Sequence, residues 1–303
     1  MNGGGVLITV TFHGLEVFRR VYEMRSIRLA AERLYLTEPS VSLAVKGIER
    51  ELGTLLFHRD GHQLVPTDAG EVTYRVAVSI LEQLHDLTIM ITDMKLGQRG
   101  HVEVAGSLTV GSYWLPKLLA WFTQRYPKIS VFQHVFLAEE MFRRLLDGEF
   151  SFGVAPLFDD IPHELYVEPL TDESVVVVGR MDFPRNSLTI QEVQEYDFVG
   201  EPVSSRGKKN FDRLLALAGI PTRRIVFATG HPEGEKEGVM AGLGLLATFR
   251  FAVERELEAG LFKEIQIHNT SMRCPIMLVY RPQKFFSPAE KTLISFLHDT
   301  ARK

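Results

Sequence analysis

The sequence predicts a chain in two unlike parts: a small, mainly α-helical head built as a winged helix-turn-helix, then a larger α/β domain. Three observations predict it. Apolar residues recur at helical spacing through the first third, with one sharp break at 35–37. Two short apolar runs flank a glycine-containing turn near residue 60. Beyond Gly97-Gln98-Arg99-Gly100, strand-length runs alternate with amphipathic helices to the C-terminus.

Leu15, Phe18 and Tyr22 recur at i, i+3 and i+7 and predict a first helix. Ala30, Ala31 and Leu34 give the apolar face of a second, and Tyr35-Leu36-Thr37 breaks its period. Glu38-Pro39-Ser40 opens a third, with Pro39 in the first turn, where its missing N–H costs nothing. Val41, Val45 and Ile48 mark its buried face, while Ser40, Ser42, Leu43, Lys46 and Arg50 fall on the other. Two short helices joined by a tight turn, the second with a small polar and basic exposed face, fit a helix-turn-helix whose second helix enters the major groove of DNA. An ordinary helical hairpin is the bland alternative.

Gly53 is placed to end the third helix at C′. Leu55-Leu56-Phe57 and Gln63-Leu64-Val65 read as two strands around a tight basic turn, His58-Arg59-Asp60-Gly61-His62, which together outline a wing. Thr67-Asp68-Ala69-Gly70 then leads into a long helix. Val76, Ile80, Leu84, Leu87, Ile91 and Met94 recur at spacings of 4, 4, 3, 4 and 3, a single seam running to Gly97. A seam with no partner in its own domain predicts pairing with a second copy; packing on its own domain is the alternative.

After the hinge at 97–100, strands are expected at His101–Ala105, Ile129–Val135, Phe150–Ala155, Ser174–Val178, Arg224–Ala228, Leu243–Thr248 and Pro275–Tyr280. Helices are expected from Leu115 to Tyr126-Pro127, at Glu139–Leu146, Ser204–Ala218 and Pro232–Ala241, and from Pro288 to about Thr300.

Leu15…Phe18, Ser26…Ala30-Ala31…Leu34, Pro39…Ser42…Ile48-Glu49…Leu52-Gly53…Leu56-Phe57…Arg59…Thr67…Ala69-Gly70 hold fixed offsets and resemble the N-terminal signature of LysR-type transcriptional regulators. Asp147-Gly148-Glu149…Gly153-Val154 resembles that family's G-x-x-D element, Val239-x-Ala241-Gly242-Leu243-Gly244 its V-x-x-G-x-G element, and Ser287-Pro288-Ala289 the start of its last helix. The resemblance covers nearly the whole chain. It implies a DNA-binding domain over 12–70, a dimerising linker helix over 71–97 and an effector-binding domain over 98–303. That domain is expected to hold two α/β subdomains resembling periplasmic binding proteins, 101–165 with 270–303 and 166–269, joined by two crossovers around a cleft.

The same resemblance implies a double-stranded operator of dyad symmetry, a homodimer or homotetramer, and a small effector that shifts the DNA-binding heads. It admits RNA polymerase as a further partner. No catalytic residue, metal or cofactor is expected. On the DNA, Ser40, Ser42 and Lys46 are expected toward the major groove, and Arg28, Thr37 and Arg59 toward phosphates. Two positions depart from the family. Glu38 stands at the mouth of the recognition helix in place of Gln; a carboxylate there repels phosphate but accepts from a cytosine amino group. Arg28 replaces a small hydroxyl residue, an exchange expected to lose a helix cap and gain a phosphate contact.

The residues themselves argue for a ligand site. Glu201-Pro202-Val203-Ser204-Ser205-Arg206 precedes a helix whose apolar face is Phe211, Leu214, Leu215 and Ala218. Two serines at a helix start, followed by arginine, offer hydroxyls, backbone N–H groups, a positive dipole end and a guanidinium, all suited to an anion. Helix capping alone would use the same serines. Ser107 and Thr109 are placed to supply the opposing jaw, and His231-Pro232 opens a further helix beside the cleft.

Composition excludes more than it identifies. The net charge of −4, and zero over residues 15–70, leave the nucleic-acid reading to rest on where charge sits. The single cysteine, Cys274, rules out an internal disulfide and a cysteine metal cluster. No apolar stretch approaches the roughly 20 residues that span a bilayer, and Met1–Gly5 lacks a signal peptide's basic and apolar regions, so a cytoplasmic protein is expected. Gly242-Leu243-Gly244-Leu245-Leu246-Ala247 matches G-x-G-x-x-A but follows a helix and opens a strand, the reverse of a dinucleotide fingerprint. His58 and His62 have no third ligand nearby. A ligand-binding protein whose head only mediates assembly is the main rival. An enzyme using Glu201 and His231 lacks a nucleophile or an oriented base.

Overall fold

The computed structural model describes residues 10–60, 63–96, 100–157, 161–202, 206–220, 223–268, 270–282 and 286–301; within its helices and strands the side chains of 59, 60, 63, 86, 89, 90, 92–96 and 206 are outside that description. Two compact units, Met1–Thr92 and Asp93–Lys303, are taken one at a time.

In the first unit α1 (Phe12–Met24), α2 (Ile27–Leu34) and α3 (Glu38–Leu52) each begin at a hydroxyl cap. Thr11 accepts from the Gly14 N–H, Ser26 from that of Leu29 and Thr37 from that of Ser40. The expected loss of a cap at Arg28 is therefore corrected. The helix starts earlier, Ser26 caps it, and Arg28 stands inside the first turn, exposed and paired with Glu32 at 2.5 Å. Gly53 closes α3 at φ 67, whereas Arg25 and Tyr35 hold the same left-handed conformation without being glycine. Leu15, Phe18, Val21, Ala30, Ala31, Val41, Val45 and Ile48 form the core.

The wing pairs β1 (Phe57–Asp60) with β2 (Gln63–Pro66), His58 opposite Val65 and Arg59 opposite Leu64. His58, Arg59 and Asp60 are thus strand residues, not the turn expected of them. Buried Phe57 paired with Pro66 sets the register, and only 61–62, outside the described residues, remain between the strands. The Glu49 carboxylate ties α3 to the wing by accepting from the Leu56 N–H at 2.9 Å.

α4 (Asp68–Leu96) starts where the Thr67 hydroxyl accepts from the Gly70 N–H at 3.0 Å. Its seam divides. Ile80 packs on the head's own core, while Val76, Leu87 and Ile91 stay exposed; the Met94 side chain lies outside the described residues, as do residues 97–99 of the expected hinge. Gly100 begins a strand at φ 148, where a Cβ would collide with Ala289.

The second unit contains β3 (Gly100–Ser107), a π-helical turn (Val110–Trp114) continuing into α5 (Leu115–Arg125), β4 (Ile129–Phe136), α6 (Ala138–Leu146), β5 (Phe152–Pro156) and β6 (Tyr166–Arg180). β7 (Ser187–Leu188), α7 (Ile190–Val193), β8 (Asp197–Gly200), α8 (Arg206–Leu217), β9 (Arg224–Ala228) and α9 (Pro232–Met240) follow. The chain closes with β10 (Leu245–Phe249), α10 (Glu254–Glu258), β11 (Phe262–Glu264), β12 (Gln266–Ile267), β13 (Met272–Tyr280) and α11 (Pro288–Ala301). β13 begins earlier than the expected Pro275, so it includes Cys274, which is buried.

The main sheet runs β4-β3-β5-β13-β6-β10-β8-β9, with β11 on β6. Parallel β4-β3-β5 makes one lobe and parallel β10-β8-β9 the other. Between them the long antiparallel pair β6 and β13 carries the chain across twice. The register slips where Ile276 faces Thr171 but Met277 faces Pro169, leaving buried Leu170 as the bulged residue.

Candidate functional sites

The head offers a helix face. Val41, Val45 and Ile48 hold α3 against α1, so Ser40, Leu43, Lys46 and Arg50 point to solvent and Ser42 is half-buried. Glu38 is exposed in the first turn. Thr37 is committed as the α3 cap, and its hydroxyl lies 2.8 Å from that of Ser40. The structure thus gathers Thr37, Glu38, Ser40, Ser42 and Lys46 at one helix, with exposed Arg28 on the helix before it. The Arg59 side chain falls outside the described residues.

The second unit holds a cavity of about 430 Å³ between its lobes. Most of the lining lies at or just after the C-terminal end of a strand: Ser107 on β3 with Leu108 and Thr109 after it, Leu137 and Glu139 after β4, Pro156 on β5, Glu201 and Pro202 after β8, His231 and Pro232 after β9, and Phe249 on β10. Parallel α/β sheets place ligand crevices at such ends. α8 adds Gly207, Asn210 and Phe211, one face at i, i+3 and i+4. Of the residues the sequence nominated, Ser107, Thr109, Glu201 and His231 line this cavity. Ser204 and Ser205 lie outside the described residues, and so does the Arg206 side chain.

Thr109 makes no side-chain cap. His231 does: its Nδ1 accepts from the Glu233 N–H at 3.3 Å, fixing the start of α9. The Glu201 carboxylate lies against Gly207 in the bare first turn of α8, so an anion belonging to the protein already sits at the helix start.

Asn210 was not foreseen. It is 5% exposed, and its amide N–H reaches Cys274 Sγ at 3.6 Å. Its one legible signal is a polar residue inside the apolar stripe ending at Ala218. Burial raises the Cys274 thiol.

Two clusters of ionisable groups lie outside the cavity lining, on the elements that carry it. Glu235 on α9 is 6% exposed, and burial together with the neighbouring Glu201 charge pushes its carboxyl up to about 8, against the opposing pull of Arg223. On the other side three donors of the π-turn and α5 meet carboxylates of the second lobe and the crossover. Tyr113 Oη donates to Glu233 at 2.6 Å, Trp114 Nε1 to Glu173 at 2.9 Å, and Lys117 pairs with Glu254 at 3.9 Å. Lys236 joins Glu233 and Glu256, with its Nζ 4.3 Å over the Tyr113 ring. Burial and the Glu233 bond hold the Tyr113 phenol protonated, well above its ordinary range.

Among the described residues no helix is long and apolar enough to cross a membrane. Residues 95–302 match the model "LysR substrate binding domain", and residues 12–71 match "Bacterial regulatory helix-turn-helix protein, lysR family". A probable RuBisCO transcriptional regulator of Cyanophora paradoxa is 26% identical over 286 residues, 91% of this chain and 88% of that protein. Full-length CbnR complexed with its target DNA superposes with a TM-score of 0.61 at 20% identity, covering 95% of this chain and 99% of that one. The regulatory domain of Synechocystis PCC6803 CcmR in complex with 2-PG superposes at 0.59 and 20% identity, covering 68% of this chain and 99% of that one.

Proposed function

The chain belongs to the LysR family of bacterial transcriptional regulators, and from that premise we propose that α3 reads a dyad-symmetric operator under the control of a small anionic metabolite held in the interlobe cavity. The observation that carries this reading is a cavity lined by Ser107 and Thr109 from one lobe and Glu201, Asn210 and His231 from the other. A ligand touching both sides binds one lobe arrangement better than another, which is the thermodynamic requirement for control.

The anionic character rests on the start of α8, with Ser204, Ser205 and Arg206. Glu201 acts there as an internal stand-in that the ligand's anionic group displaces, and the proton kept on Glu235 spares the pocket a second negative charge. The regulatory domain of CcmR, which takes 2-PG, supports a small metabolite as effector. The protein acts by binding rather than turnover, on DNA as a homo-oligomer, with RNA polymerase as a further partner. Ser40, Ser42 and Lys46 face the bases, Arg28, Thr37 and Arg59 the phosphates, and Glu38 the mouth of the groove. The domains divide at 12–70, 71–97 and 98–303.

The test is a fluorescence-anisotropy titration of the full chain against a dyad-containing duplex from upstream of its own gene and a scrambled duplex, at several salt concentrations. Binding that weakens with salt yet favours the dyad is expected. Lys46→Ala should lower the dyad affinity and reduce the salt slope by about one if it meets a phosphate, or narrow the gap to the scrambled duplex if it meets a base. Equal binding to both duplexes would leave only phosphate electrostatics. Absence of binding would favour a ligand-binding protein whose head serves assembly.

A further inference from the structure

Leu43 is 70% exposed on α3. At 100° per residue it lies opposite the stripe of Val41, Val45 and Ile48, in the middle of the solvent face. Its helical neighbours on that face are Lys46 and Gly47, three and four residues on, with Arg50 at the next turn. A single exposed leucine is ordinary. Gly47 beside it is not. A glycine inside a helix costs stability relative to alanine, and such a glycine usually relieves crowding. Here an added Cβ would have nothing within 4 Å. Nothing inside the molecule therefore asks for a bare backbone at 47. A bare backbone suits close approach by something outside.

The two basic side chains favour a polyanion as that outside partner, and the one apolar side chain at the centre needs an apolar feature on it. B-DNA presents one apolar group in the major groove, the 5-methyl of thymine. We infer that Leu43, with the bare helix surface at Gly47, is a specificity-determining contact that selects thymine in the operator through its 5-methyl group. This rests on α3 being the groove-reading helix. Arg50, a turn further on, adds electrostatic attraction to the phosphates without regard to sequence. Leu43 discriminates, because only a thymine gives it a surface to bury.

The test separates the contact from the reading it rests on. Sites are selected from a random duplex library with the full-length protein, and in the enriched duplex each thymine is replaced singly by deoxyuridine, which removes the methyl alone. The expected result is one thymine per half-site whose replacement weakens binding about fourfold, the worth of one buried methyl. Leu43→Ala should bind the parent duplex weaker by a similar factor and no longer distinguish thymine from deoxyuridine there. Gly47→Ala should raise the melting temperature yet bind the enriched duplex less well than the unaltered protein does. Enrichment with indifference to every deoxyuridine, or discrimination retained in Leu43→Ala, would overturn the contact while leaving α3 as the reader. No enrichment would overturn both.

Discussion

Tyr35 keeps a conformation that favours glycine. Its φ of 56 sits at the end of α2, where its N–H and that of Leu36 close the helix on Glu32 and Ala31. The side chain is 97% exposed, so it recovers little of the strain through packing. Left-handed backbone costs a non-glycine residue roughly 1–2 kcal/mol, part of which glycine returns through its freer unfolded chain. Tyr35→Gly is therefore expected to stabilise the head by about 0.5–1 kcal/mol, read as a higher urea midpoint at unchanged slope.

Glu235 gives a pH dependence of definite sign. Its folded-state carboxyl titrates near 8 rather than near 4.5. Below about 4.5 both folded and unfolded forms carry the proton, and the stability is intact. As pH rises toward 8 only the unfolded chain releases it, so stability falls through that window and levels off above it. Glu235→Gln should flatten the melting temperature between pH 5 and 8; an unchanged slope would place the proton elsewhere. Residues at strand ends and helix starts, such as Ser107, Glu201 and His231, were legible because chain order announces those places. Asn210 was not, since a buried polar residue in an apolar stripe looks like an irregularity. The error at Arg28 came from a helix start displaced by two residues.

At the scale of the element, α4 shows how far periodicity reaches. Spacing located the whole helix, but not that Ile80 is spent on the head's core while Val76, Leu87 and Ile91 remain uncovered. An uncovered apolar stripe on a long helix fits a second copy of the same stripe. Placing aspartate at both Leu87 and Ile91 is expected to shift sedimentation toward a smaller species while leaving the melting of the second unit unchanged. Shorter elements escaped the sequence for physical reasons. β8 has only four residues, too few for a period, and the first half of β6 buries Leu170 alone among half-buried and exposed positions, so it reads as loop. The wing strand swallowed its expected turn because pairing partners, rather than local turn preference, fixed its register.

Over the second unit, the order of strands lay beyond any periodicity. Nothing local places β13 beside β6 across about a hundred residues of chain, and the family resemblance alone suggested the two crossovers. Those crossovers make the lobes one sheet, so a change in their mutual angle is expected to require β6 to twist against β13. The weak point of that pair is the bulge at Leu170, where Pro169 has no N–H to give the ladder.

None of Pro169, Leu170, Thr171, Ile276 or Met277 lines the cavity. A genetic selection for strains whose target genes no longer respond to the proposed effector is therefore expected to return changes at these five positions. Such alleles would be deaf to the signal while their purified proteins still bind it, and sequencing the survivors would map the pivot.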